Sequence, residues 1–236
     1  RQFVAVAAGE ALRQADALLF VTQRRAPNAR WAELDTGVAQ PLPRPEHLLL
    51  MHEGKIPPGS TAAWVGARSL HHLRGERDVP RIARLVTGTA RGVVLSGGGA
   101  RGFAHLGVLR ALTEAGVALD VVGGASIGAI IGAGFAADWS ISEMTEVYRS
   151  SFVAENPLSD WTVPFVSLVA GRAVSRLLKD AYGQRDIEDL VRPFFCVSTS
   201  LTHGRTRVHR RCPVWKWLRA SAASPGVLPP VFSQGH

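Results

Sequence analysis

The sequence predicts an α/β domain built on parallel strands, and three features of residues 93–133 carry that expectation. Residues 93–96 form a short apolar run halted by Gly97-Gly98-Gly99. Leu106, Leu109, Leu112 and Ala115 then recur three apart, the apolar stripe of a helix that Gly116 ends. Val121 and Val122 form another buried strand, which runs through Gly123-Gly124 into a second helix. Strand, glycine loop, helix, strand, sharp turn and helix make a βαβα unit. Its two strands are expected to run parallel, because a helix crosses between them.

Ahead of that unit, residues 1–80 read as a smaller α/β segment. Residues 10–16 are helical in composition, 17–21 (ALLFV) are a buried strand, and 22–45 are a connector with proline and arginine. Residues 47–52 (HLLLMH) are a second buried strand, and 54–60 a loop around Pro57-Pro58. Residues 64–74 carry a little more structure before a charged turn at 75–80. A boundary is expected near residues 79–84, leaving segment 1–80 and domain 81–236.

Beyond the unit, Ser140 is an N-cap and Glu143, three residues on, completes a capping box before Met144, Val147 and Tyr148. Residues 156–169 are irregular, with Trp161 and Phe165 as exposed-type aromatics. Val174, Leu177, Leu178 and Ala181 share one face of a helix over 173–182, and Ile187, Leu190 and Val191 suggest a short helix after it. Residues 194–199 (FFCVST) are a third core strand. In the basic stretch 202–211, Thr206 and Val208 alternate as in an edge strand or hairpin. Residues 214–223 read as a helix closed by Ser224-Pro225-Gly226, and Leu228-Pro229-Pro230 opens an extended segment.

The 236 residues are 46% hydrophobic, enough for the cores of one large or two small domains. The formal net charge of +8 rests almost wholly on arginine, since lysine occurs only at Lys55, Lys179 and Lys216. Such an excess suits an acidic partner, either phospholipid headgroups or nucleic acid. The arginines are scattered, which favours a generally basic surface over a dedicated nucleic-acid groove. Cys196 and Cys212 are the only cysteines, with no C-x-x-C pair, so neither a disulfide scaffold nor a cysteine zinc site is expected and a reducing compartment is. The chain starts at Arg1 without a signal peptide and reads as a segment of a longer protein. The most apolar window, residues 117–137, is interrupted by Asp120 and rich in glycine, so it reads as strand, turn and helix and not as a membrane span.

Two readings compete for the glycine loop. Gly97-Gly98-Gly99-Ala100-Arg101-Gly102 fits G-x-G-x-x-G between a strand and a helix, the setting of a dinucleotide fingerprint. That site needs an acidic residue at the end of the second strand. Here the strand runs instead into Gly124-Ala125-Ser126-Ile127-Gly128, and Asp120 stands at its other end. No Walker-type phosphate loop occurs either. G-x-S-x-G is the pattern of a nucleophile elbow, with glycines at 124 and 128 because the turn is too tight for neighbouring side chains. The serine oxygen then sits at a helix start, where amides and dipole favour developing negative charge. In this second reading the glycine loop is an oxyanion hole, a feature whose single donors each contribute on the order of 3 kcal/mol of transition-state stabilisation.

GGGARG, a short helix and GASIG in this order resemble the patatin-like phospholipase family. His105-Leu106-Gly107-Val108-Leu109 and the run from Asp120 to Gly128 resemble its neuropathy target esterase branch. Ile187-Glu188-Asp189-Leu190, Arg219-Ala220-Ser221 and Leu228-Pro229-Pro230 extend the likeness downstream; Arg13-Gln14-Ala15-Asp16 and Ala83-Arg84-Leu85-Val86-Thr87-Gly88 extend it upstream. The resemblance implies a three-layer α/β/α fold with a mainly parallel central sheet, C-terminally incomplete here and preceded by the small α/β segment.

It also implies a serine acyl hydrolase on phospholipids or lysophospholipids, working with a Ser–Asp dyad and no cofactor or metal. Ser126 would be the nucleophile, Gly97, Gly98, Gly99, Ala100, Arg101 and Gly102 the oxyanion loop, and Gly124 and Gly128 the flanks of the elbow. His105 is read as packing or capping locally, and Arg101 as either bracing the loop or meeting an anion. The family's aspartate lies in an Asp-Gly-Gly or Asp-Gly-Ala motif after L-P-P, which residues 1–236 do not contain. The stretch alone is therefore expected to hydrolyse little.

Residues 205–219 interleave arginines and Lys216 with Trp215 and Trp217, which suits anionic lipid, nucleic acid, or simply a solvated edge strand beside a helix with core tryptophan. A lipid esterase must reach a membrane, so lipid is preferred, in a cytoplasmic protein peripheral to the membrane, with no nucleic-acid partner. Residues 156–169 are where a substrate-covering loop would lie. The competing class is a catalytically silent regulatory module of the same fold. In the resembling branch, cyclic-nucleotide-binding-like domains lie upstream.

Overall fold

The computed structural model describes residues 16–22, 45–64, 69–154, 158–163 and 166–233. Expectations for residues 10–15, for most of the 22–45 connector and for Phe165 lie outside them. The chain divides into Arg1–Ala90 and Arg91–His236.

The first unit holds three parallel strands in the order β1 (Leu18–Thr22), β2 (Glu46–Met51) and β3 (Ser69–Leu73), followed by helix α1 (Val79–Val86). The expected break at residue 80 falls inside this unit, at Pro80 in the first turn of α1. The first two strands were legible as apolar runs. The third, SLHHL, carries two histidines in its centre and reads poorly as a strand from composition.

In β2, His47, Leu48, Leu49 and Leu50 are all buried, as a central parallel strand covered on both faces must be. Leu48, Leu50 and Trp64 form a small core with Phe20 and Leu70. Two histidine pairs bridge the strands, His47 Nδ1 to His71 Nε2 at 3.0 Å and His52 Nε2 to His72 Nδ1 at 2.8 Å. Asp78 ties β3 to α1. It accepts the Arg74 amide and two Arg74 guanidinium bonds, all at 2.9 Å, and stands 3.3 Å from Arg81 Nη2. Burial alone would raise the Asp78 carboxyl, but the Arg74 bonds and the two guanidinium charges hold it well below the usual carboxylate range.

The second unit contains a four-stranded sheet in the order β4 (Gly92–Leu95), β5 (Val121–Ala125), β6 (Phe194–Ser200) and β7 (Arg205–His209). β4, β5 and β6 are parallel, and β7 closes a hairpin antiparallel to β6. The helices are α2 (Ala104–Glu114), α3 (Ile127–Ala136), α4 (Ile141–Tyr148), α5 (Arg172–Tyr182) and α6 (Val214–Ser221). The fold is α/β with a mainly parallel central sheet. Asp120, buried at the amino end of β5, accepts the Arg91 amide at 3.0 Å and pins the start of β4 to β5, far from any ligand position.

Helix α3 is buried at all ten positions. Small residues permit this: a Cβ at Gly128 would lie 2.3 Å from Leu95 O, and one at Gly134 2.5 Å from the Tyr148 hydroxyl. Tyr148 and Tyr182 both donate to Ile130 O at 2.8 Å, so two aromatic hydroxyls find an acceptor inside the core. The Ser140–Glu143 capping box of α4 forms in both directions, at 3.1 and 2.7 Å. Among the described residues no helix is long and apolar enough to cross a membrane. The short helix expected around Ile187 is a single 3-10 turn, Ile187–Asp189.

Candidate active site

The candidate nucleophile owes its placement to backbone geometry. Ser126 sits between β5 and α3 at φ 52 and ψ −126, a conformation side chains other than glycine rarely adopt. The flanking glycines explain how so tight a turn closes. A Cβ at Gly124 would lie 2.6 Å from the Ala129 backbone, and one at Gly128 would strike the carbonyls of Leu95 and Ser96 at 2.3 and 2.5 Å. The spacing G-x-S-x-G is thus a packing requirement at both glycines.

Ser126 caps α3, whose first carbonyl bonds run from Ala129 N and Ile130 N to Ser126 O at 2.9 and 3.1 Å. The amides of Ile127 and Gly128 precede that ladder and donate to no acceptor among the described residues, as the free amides of a helix start do.

The glycine loop comes to the same place. It leaves β4, the strand beside β5, so both loops stand at the carboxyl ends of neighbouring parallel strands. A Cβ at Gly97 would touch Ser126 Cβ at 3.3 Å. The loop residues 96–101 are exposed, and neither Gly97 nor Gly98 donates its amide to an acceptor among the described residues. Gly99, at φ 54, starts the 3-10 turn Gly99–Phe103 that leads into α2. Gly102 is buried against Ile127, where a Cβ would lie 2.1 Å from a side-chain methyl. Ala100 and Arg101 lie on the exposed side, and the Arg101 amide closes the turn onto Gly98 O at 3.2 Å. His105 Nε2 donates to Ser96 O at 2.9 Å, a bond that braces the root of the loop.

Two features escaped the reading of residues alone. The Ser126 amide donates to the Ser221 hydroxyl on α6, 2.8 Å away across 95 positions of sequence. Along the chain, Arg219-Ala220-Ser221 carries no signal of this contact beyond its family resemblance. Trp215 and Trp217 are half-buried against the core, Trp217 stacking on His209 at 3.8 Å between centroids and Trp215 lying under Lys179. Among the described residues the Ser126 hydroxyl has no hydrogen-bond partner, and no cluster of His, Cys, Asp or Glu can hold a metal. Burial pushes the Cys196 thiol up to about 12, so this core cysteine is no nucleophile.

Comparison with known proteins agrees with this geometry. The profile of the family described as "Patatin-like phospholipase" matches residues 93–236. The chain is 36% identical over 229 residues to mouse "Patatin-like phospholipase domain-containing protein 6", covering 81% of this chain and 17% of that protein. It is 39% identical over 165 residues to "Neuropathy target esterase sws" of Drosophila sechellia, covering 67% of this chain and 11% of that one. An NTE family protein of Mycobacterium tuberculosis is 40% identical over 163 residues, 69% of this chain and 28% of its own. The chain spans less than a third of the length of these relatives. A strained serine between close-packed glycines, a glycine loop laid against it and these matches place the chain in the patatin-like phospholipase family, in its neuropathy target esterase branch.

Proposed function

We propose that this chain supplies the nucleophile and the oxyanion loop of a serine hydrolase that cleaves acyl esters of phospholipids or lysophospholipids. The observation that carries the reading is the approach of Gly97 to Ser126 at the ends of two neighbouring parallel strands. Ser126 Oγ attacks the ester carbonyl. The oxygen that gains charge is met by loop amides at Gly97 and Gly98 and by the first amides of α3, in fixed positions that need no reorganisation. Arg101 lends positive charge at the rim.

The base in this reading is an aspartate of an Asp-Gly-Gly or Asp-Gly-Ala motif, which residues 1–236 lack. An extended chain reaching that motif should turn over a p-nitrophenyl ester while residues 1–236 alone hydrolyse little; equal turnover by the two sinks the dyad. A fluorophosphonate probe on the extended chain tests the nucleophile. Ser126→Ala should abolish labelling and lower hydrolysis on the order of 10⁶-fold, as removal of a serine nucleophile does. Labelling that survives the substitution removes Ser126 from this role. Absent labelling of the parent chain would favour the other reading, a silent regulatory module.

The membrane surface is the proposed working place, reached from the cytoplasmic side. Its support is the exposed apolar stretch Leu158, Trp161, Val163, Val166 and Leu168, where a substrate-covering loop was expected. A sensor domain of cyclic-nucleotide-binding type upstream remains part of this proposal by likeness to the branch. Nucleic acid is not a proposed partner.

A further inference from the structure

Helix α5 carries Arg172, Arg176 and Lys179 at i, i+4 and i+7, a stripe of like charge that weakens an isolated helix. None of the three forms an ion pair among the described residues. Facing them, α6 contributes Trp215 and Arg219, also four apart, and Pro229, Pro230 and Val231 close the third side. Together they line an open cavity of about 530 Å³.

Arg219 is the unusual member. It is 4% exposed, yet among the described residues only Nη2 has an acceptor, Pro229 O at 3.1 Å; Nε and Nη1 are buried with none. Gly171 makes room for it, since a Cβ there would lie 2.3 Å from Nη2. A guanidinium stays charged when buried, and burial with donors left unpaired is unfavourable.

Two carboxylates lie near. Asp180 lines the cavity, and Asp160 is the carboxylate that tempers the Arg219 charge; its Oδ2 accepts the amides of Arg172 and Ala173 at 2.7 and 3.2 Å, and its Oδ1 is buried with no hydrogen-bond partner among the described residues. Against four cations they leave positive charge in surplus.

We propose that this cavity binds a phosphate group, with Arg219 as its buried anchor and Arg176 and Lys179 as its outer clamp. The planar Arg219 guanidinium matches the oxygens of phosphate; its Nε and Nη1 are closed to solvent in this structure and meet an anion in the cavity by a shift of the side chain. The volume exceeds what a phosphate ion fills and leaves the Trp215 and Pro230 walls for the organic part of a phosphate monoester. The site is separate from the nucleophile: Arg219 and Ser221 are about 200° apart around α6, so the anion and Ser126 meet opposite sides of one helix.

Calorimetric titration of the intact protein with inorganic phosphate, against chloride at equal ionic strength, tests this. Phosphate should bind and chloride should not. Arg176→Gln with Lys179→Gln, both on the exposed face of α5, should weaken binding roughly tenfold or more, the size of one lost charged hydrogen bond. Arg219→Gln should abolish it, provided circular dichroism shows a folded protein.

Vesicles of phosphatidylcholine with and without phosphatidic acid distinguish the sources. Retention on phosphatidic acid that free phosphate competes away assigns a lipid headgroup; phosphate binding without retention assigns a soluble phosphate. Equal responses to phosphate and chloride, or phosphate binding untouched by the Arg176/Lys179 pair of substitutions, overturn the proposal.

Discussion

The two sheets of this chain, one parallel and one mainly parallel, solve the same problem in opposite ways. Each has a central strand that must bury both faces. In the first, β2 fills its faces with large side chains, Leu48, Leu49 and Leu50, and with a histidine paired to its neighbour strand. In the second, β5 reads VVGGA and leaves its faces nearly bare, so that α3 and Phe195 come into contact with its backbone. The first sheet is held by side chains, including ionisable ones. The second is held by close backbone approach, which also forces Ser126 into its turn. Sensitivity to charge and pH should therefore belong to the first sheet, and sensitivity to added volume to the second.

The largest expected effect breaks the first sheet. Asp78→Ala leaves the Arg74 and Arg81 guanidinium groups buried without their carboxylate, and should destabilise the first unit by about 4 kcal/mol. Denaturant unfolding followed by amide exchange in β2 and β3 would measure it, and a loss under about 1 kcal/mol would mean the pair behaves as a surface bridge.

Next, Gly128→Ala places a methyl against two carbonyl oxygens that cannot move without β4, and should cost about 3 kcal/mol by overpacking. Fluorophosphonate labelling should vanish with it. Labelling at the parent rate would show that the elbow tolerates volume.

The pH contrast comes third. Burial first, then the charges of His47, Arg81 and His72, lower the His71 imidazole from 6.5 to about 4. The folded first sheet thus favours neutral His71, so its contribution is complete above pH 6.5 and is lost as pH falls from 6.5 towards 4. Exchange rates corrected for intrinsic chemistry should show β3 loosening across that window while β5 does not; parallel loosening of both strands would break the contrast. Asp78 acts lower still, its stabilisation being present above the ordinary carboxylate range and lost in stronger acid.

The smallest effect is the most specific. Ser221→Ala leaves the part-buried Ser126 amide without an acceptor, a loss of about 1.5 kcal/mol. The labelling rate should drop roughly tenfold, and Ser221→Thr, which keeps the hydroxyl, should restore it. Rates equal to the parent's for Ser221→Ala would make the bond incidental.

Much of the fold was legible along the chain. Strands β1, β2, β4, β5 and β6 announced themselves as apolar runs, and the caps of α4 and the ends of α2 as local chemistry. β3 was not, because its burial rests on histidines that become acceptable inside only when each has a partner from the adjacent strand. Trp215 and Trp217 left three readings open along the chain, because a basic, aromatic stretch looks the same whether its rings face lipid, nucleic acid or the core; in the fold both rings pack partly against the core.

The sequence by itself determined the elbow and the loop, since the glycines at 97, 124 and 128 mark positions where neighbouring backbone or Ser126 leaves little or no room for a Cβ. What only the tertiary structure decided are the contacts between distant segments. Ser221 reaching the Ser126 amide, and Arg219 buried behind α5 with two idle donors, each depend on where α6 lies. Local sterics act through neighbouring residues and so can be read in order along the chain. The satisfaction of a buried amide or charge is settled by whatever packing brings beside it, and no spacing along the chain records that.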